Sequence, residues 1–306
     1  MPESVLAEPL AQGCFDGAAV TAEGAPLAFT SQAARGANAG RLWDLAAAAA
    51  LGTPLPGFPA DPAAWAFGAP AGAPTVAWTY RDRVHVHDLA TGHEAVLDGQ
   101  PDLLGLAVHH GRAAVVTVFG PASDASVVVW DALTGERLTE FTVWLGHRTA
   151  IDRWILHAAP AAGPLIGLPG DAAVSILDVE RGEEIAALPG GYAVLTPSPD
   201  GLVLVQPGPA EMRVSGLDGE ALAVLETPGP CDQVAASLAG GRLIVAAALQ
   251  DEPDTVLAWD AATVVPFRLV KVPAPVNDLA LAPDGTLLAA TDDGLHTARL
   301  CTGHEI

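Results

Sequence analysis

One phrase recurs along this chain and constrains its fold more than anything else in it. A short apolar run ends in Asp, often as Trp-Asp; a small turn with Gly follows, then a second short apolar run. It reads RLWDL at 41–45, RVHVHDLATGHEAVL at 83–97, VVVWDALTGERLTEF at 127–141 and VSILDVERGEEIAAL at 174–188. A worn copy is MRVSGLDGEALAVL at 212–225, followed by VLAWDAATVVPF at 256–267 and LHTARLCTGHEI at 295–306. Aligning the turn glycines places the Asp position at Asp44, Asp88, Asp131, Asp178, Ser215, Asp260 and Arg299, in steps of 44, 43, 47, 37, 45 and 39 residues. A repeat of this size is one supersecondary unit that cannot bury its apolar face alone and must stack on its neighbours.

Within a copy the period is two. In Val127 to Trp130, β-branched residues precede the Trp, as in a strand buried on both faces. In the last copy, VNDLALAPDGTLLAATDDGLHTARL at 276–300, Val276 to Leu281 reads as a strand and Pro283-Asp284-Gly285 as a turn. Proline presets φ there and glycine accepts φ > 0. Leu287 to Ala290 is the next strand, and Asp292-Asp293-Gly294 turns into a third. PSPDG at 197–201 repeats the first of these turns two copies earlier. No stretch sustains a helical period, and Ala46 to Ala50 reads as a connection ahead of an outer strand. The expectation is an all-β chain of seven copies.

Trp43-Asp44, Trp130-Asp131 and Trp259-Asp260, with the Pro-Asp-Gly turns, resemble the WD40 repeat, and the resemblance covers nearly the whole chain. It implies one domain over 1–306: a seven-bladed β-propeller of four-stranded antiparallel blades. The last copy stops where an outer strand should begin, and SVLAEPL at 4–10 is otherwise unexplained. That segment is therefore expected to complete the last blade and close the ring, which also removes an open edge. The chain departs from the family at the Gly-His before the first strand. Only Gly146-His147 occupies that place, its copy has Leu177 instead of Trp, and the Trp copies lack the His. The blades must then rest on apolar packing, with other acceptors for the indole N–H groups.

Charge narrows the partner. Lys and Arg total 14 against 36 Asp and Glu, a net charge of −22. Nucleic-acid binding needs clustered Lys and Arg to release counterions, so it is not expected. Lys271 is the one lysine; with abundant Ala, Gly and Pro this points to a GC-rich, bacterial coding bias. Cys14, Cys231 and Cys301 are too scattered for a disulfide framework or a zinc site. The start, MPESVLAEPLAQG, lacks the basic residues of a secretory signal, and the longest uncharged candidate, 45–60, is broken by Pro54, Pro56 and Pro59. The expectation is a cytoplasmic protein with reduced thiols, off the membrane, a monomer or a subunit of a complex.

The search for catalytic motifs finds no P-loop, no G-x-S-x-G, no H-E-x-x-H and no spaced Cys pair. His85 and His87 share one strand face, and Asp251/Glu252/Asp254 and Asp292/Asp293 sit in turns; both read as ordinary strand histidines and solvated acidic loops. No catalytic residue, metal or cofactor is expected. In the propeller that the resemblance implies, the loops before first strands and those between second and third strands meet on one rim. That rim is expected to bind a protein or peptide partner through Arg81, Arg83, Arg148, Arg153, Tyr192, Asp232, Asp278 and Asp292. Arginine and tyrosine are frequent interface anchors. The leading reading is a non-catalytic interaction scaffold. The alternatives are an enzyme or small-molecule binder using the central channel, and a structural subunit of a larger assembly.

Overall fold

A computed structural model describes residues 3–21, 25–32, 39–60, 62–120, 124–144, 165–169, 173–190 and 193–300. Among them the regular structure is dominated by strands, with a 3₁₀ turn at Pro70–Gly72. No helix among the described residues is long and apolar enough to cross a membrane.

The strands form seven sheets in which chain neighbours pair antiparallel. Blade 1 is Phe15–Val20, Leu27–Gln32, Gly40–Asp44 and Ala49–Leu55; blade 2 is Trp65–Gly68, Thr75–Tyr80, Arg83–Asp88 and Glu94–Asp98. Blade 3 is Leu103–His109, Arg112–Phe119, Ala125–Asp131 and Arg137–Val143. Blade 4 shows Leu165–Pro169, Ala173–Asp178 and Glu183–Pro189, the segment 145–164 before it lying outside the described residues. Blade 5 is Val194–Ser198, Gly201–Pro207, Glu211–Gly216 and Ala221–Glu226, and blade 6 is Cys231–Ala239, Arg242–Leu249, Thr255–Asp260 and Pro266–Lys271. Blade 7 is Val276–Leu281, Thr286–Thr291 and Gly294–Arg299, joined by Glu8–Gln12. The chain divides into two compact units, Met1–Asp61 with Thr196–Ile306, and Pro62–Leu195.

Burial follows the pattern in the sequence. The outer strand Glu94–Asp98 alternates, with Ala95 and Leu97 inward. The third strand Thr255–Asp260 is buried at every residue, because both faces of a blade interior are covered. In the first unit, Ile244, Val256 and Val270 of blade 6 pack with Leu279, Leu281 and Leu287 of blade 7, while Phe15, Ala18 and Trp43 of blade 1 pack with Leu288 and Leu295. In the second unit, Val84, Val86 and Leu97 of blade 2 meet Leu104, Leu106 and Val115 of blade 3, and Val116, Val118 and Val129 meet Ile166, Leu168 and Leu177 of blade 4. Each such Val, Leu, Ile or Phe side chain contributes about 1.5–3 kcal/mol relative to exposure.

The recurring Asp is a turn-former. Oδ1 of Asp88 accepts the N–H groups of Ala90 and Thr91, and Oδ1 of Asp131 accepts those of Leu133 and Thr134; Asp178 does the same for Glu180 and Arg181. Burial alone would raise the Asp88 and Asp131 carboxyls, but these hydrogen bonds outweigh it and hold both below the usual carboxylate range. The fourth residue after the Asp position turns left-handed in all six blades where it is described. It is glycine at Gly92, Gly135, Gly182 and Gly219, but Ala48 in blade 1 and Val264 in blade 6.

The leading segment, expected as one outer strand over 4–10, is two strands. Glu8–Gln12 pairs antiparallel with Gly294–Arg299, whereas Glu3–Leu6 runs parallel to Pro266–Lys271 as a fifth strand on blade 6. The change of partner falls at buried Ala7, whose N–H donates to the Lys271 carbonyl. Apolar alternation announces a strand; it does not say which edge the strand joins.

The indoles divide likewise. Trp43 donates to Thr30 Oγ1 at 2.9 Å and Trp130 to Thr117 Oγ1 at 2.7 Å. Each threonine stands two residues past the Trp's cross-strand neighbour, Ala28 or Val115. Trp259 faces Val245, so the matching residue is Ala247, and the fully buried Trp259 indole N–H has no acceptor among the described residues.

Candidate functional site

Of the residues expected to bind a partner, Arg148, Arg153 and Tyr192 lie outside the described residues. The other five fall in two groups, one in each unit.

Arg81 and Arg83 belong to blade 2. Thr75–Tyr80 and Arg83–Asp88 pair in a register that sets Tyr80 opposite Arg83, so Arg81-Asp82 forms a two-residue hairpin loop. Loops this short need positive φ to match strand twist, and they usually recruit Gly, Asn or Asp. Here Arg81 takes φ 55°, a conformation that is uncommon outside glycine. Its guanidinium lies 5.1 Å from the centre of the Tyr80 ring, and Tyr80 is 42% exposed. Arg83 Nε is 3.8 Å from Asp98 Oδ1, and both side chains are open to water, where such a pair contributes little. Below the loop, His85 stacks on Trp78 with ring centres 5.3 Å apart, and its Nδ1 is 3.0 Å from Glu94 Oε1. His85 thus has a structural place.

Asp232, Asp278 and Asp292 belong to blades 6 and 7. Asp232 is exposed, at a bulge that opens the first strand of blade 6. Asp278 follows the corresponding bulge of blade 7. Its Oδ2 accepts the Ala18 N–H of blade 1 at 2.9 Å and its Oδ1 accepts the Leu279 N–H at 2.8 Å. Burial pushes this carboxyl up to about 7, against the pull of those two hydrogen bonds. Asn277 Nδ2 donates to the Phe15 carbonyl at 3.0 Å and to Asp292 Oδ1 at 2.9 Å, and Cys14 Sγ donates to the same carboxylate oxygen at 3.4 Å. Those two donors hold Asp292 below the usual range. Asp293 accepts from Thr291 Oγ1 at 2.7 Å and pairs with Nε2 of His296, a side chain only 5% exposed. Asp278 and Asp292 therefore bind blade 7 to blade 1.

Asp278 and Asp292 are legible in the chain as carboxylates of the expected rim, but the partners that commit them to the fold are not. Tyr80 is not among the residues expected on the rim, although Tyr80-Arg81 is written in the chain as an aromatic beside an arginine at a turn. Among the described residues, no group of three or more His, Cys, Asp or Glu is placed to hold a metal ion.

No family model matches the chain, and no curated protein matches it. Solved structures do. The hydrazine synthase of Kuenenia stuttgartiensis is similar to this chain at a TM-score of 0.64 and 14% identity, over 95% of this chain and 96% of that one. The structure of U3-55K is similar at 0.64 and 15%, over 93% and 95%. The fold is a seven-bladed β-propeller. At such identities the likeness speaks for fold, and it extends over nearly all of the propeller.

Proposed function

We propose that this propeller is a non-catalytic scaffold of the WD40 type, docking a protein or peptide through the loops between second and third strands and before first strands. The observation that carries this reading is the blade 2 loop. An exposed tyrosine and an arginine in a disfavoured backbone conformation are held together at a hairpin tip, where neither supports the core. Backbone strain of this kind costs on the order of 1–3 kcal/mol and concentrates at functional sites. Tyrosine and arginine are also the residue types that dominate binding energy at interfaces.

The test is affinity purification from the native host with the full chain as bait. A partner held by the wild type should be lost by Tyr80→Ala combined with Arg81→Gly. It should be kept by Arg137→Ala, which removes only an outer-strand ion pair with Glu140. Retention of every partner by the double variant contradicts the reading.

A further inference from the structure

We propose that the Tyr80–Arg81–Arg83 corner receives an acidic peptide, one carboxylate seated on the Arg81 guanidinium and a neighbouring aromatic or aliphatic side chain against the Tyr80 ring. The inference rests on the docking reading above and adds the chemistry of the partner.

It comes from how the chain uses its few cations. With 36 acidic residues against 14 basic ones, arginines here are readily claimed by carboxylates. Arg112 pairs with Asp131, Arg137 with Glu140, Arg181 with Asp178, Arg242 with Asp260 and Arg299 with Asp284, while Lys271 bridges Glu252 and Asp254. Among the described residues Arg81, like Arg41 on the Trp43 ring and Arg213 on the Gly219 carbonyl, has no carboxylate partner, though Asp82 adjoins it in the chain; of the three it alone sits at a hairpin tip. Its contact is the Tyr80 ring. A cation over an aromatic face keeps its N–H donors directed outward while its plane is fixed, so little rotamer freedom is lost when an anion arrives. Arg83, two residues on, has a single loose, solvent-exposed partner in Asp98 that a tighter carboxylate can displace. Two guanidinium groups and a phenol ring at one tip match a peptide with one or two acids beside an apolar residue. A long polyanion is disfavoured by the net charge of −22.

A random peptide library displayed on phage is panned against the full chain, and selected peptides are measured by fluorescence anisotropy against wild type, Arg81→Gly and Arg81→Lys. Glycine suits φ 55°, so Arg81→Gly keeps the turn. The expected result is enrichment of Asp- and Glu-containing peptides, about tenfold weaker binding by Arg81→Gly, a smaller loss with Arg81→Lys, and affinity that falls as salt rises. Enriched peptides that are neutral or basic yet still need Arg81 overturn the acidic partner and leave the docking corner standing. Binding indifferent to Arg81, or no enrichment at all, overturns both.

Discussion

The blade 2 hairpin and the blade 7 corner both carry charged residues on the loops expected to face a partner, yet the two are built in opposite ways. Asp278 and Asp292 accept hydrogen bonds from Ala18, Leu279, Asn277 and Cys14, tying blade 7 to blade 1. Arg81 touches one exposed ring and takes a backbone conformation that works against it. The difference shows that residue type does not separate a structural charge from a presented one. What separates them is whether the fold already satisfies the group's hydrogen bonds. Substitutions should accordingly act through different physics at the two places: through ionisation and hydrogen bonding at blade 7, and through backbone strain at blade 2.

The largest effect is expected at Asp278 and depends on pH. Its carboxyl is raised in the folded protein from 3.8 to about 7, so the folded state keeps a proton that the unfolded chain releases first. The associated stability is complete below about pH 4, declines between pH 4 and 7, and is gone above 7, a change of roughly 4 kcal/mol. Asp278→Asn cannot ionise. Its stability measured by urea unfolding should improve relative to wild type by about that amount between pH 4 and 8. Parallel curves for the two proteins would mean that Asp278 is solvated.

Asn277→Ala comes next. It removes the donors to the Phe15 carbonyl and to Asp292 and should cost about 1–2 kcal/mol, visible as a Tm lower by a few degrees. An unchanged Tm would mean that the Asn277 hydrogen bonds add nothing net to the seam between blades 7 and 1. Arg81→Gly should move the other way, gaining about 0.5–1 kcal/mol as the left-handed strain is relieved, less the added freedom of the unfolded chain. Arg83→Ala should change stability by less than about 0.5 kcal/mol, since its partner is distant and both groups are wet. A larger cost in thermal unfolding would make Arg83 a structural residue like Asp278.

The blade order was legible from the chain because what marks it is local. An Asp ends the third strand in five blades, and Asp88, Asp131 and Asp178 each bond N–H groups two and three residues ahead, so the spacing survives in the sequence. The division of the leading segment between blades 6 and 7 was not, since alternation fixes faces and leaves the edge to register. The role of Asp278 was hidden for a similar reason, its donor Ala18 being 260 residues away in the chain. The indole acceptors lie between these cases. Thr30 and Thr117 both precede their Trp by 13 residues, a local signal, whereas Trp259 has alanine at the matching register position.

The comparison of the two corners is tested most directly by measuring Arg81→Gly in two ways on one preparation: urea unfolding, and anisotropy with an acidic peptide selected on the wild type. The account predicts a protein at least as stable as wild type that binds the peptide about tenfold more weakly. A variant that loses stability, or that binds the peptide as wild type does, would contradict it.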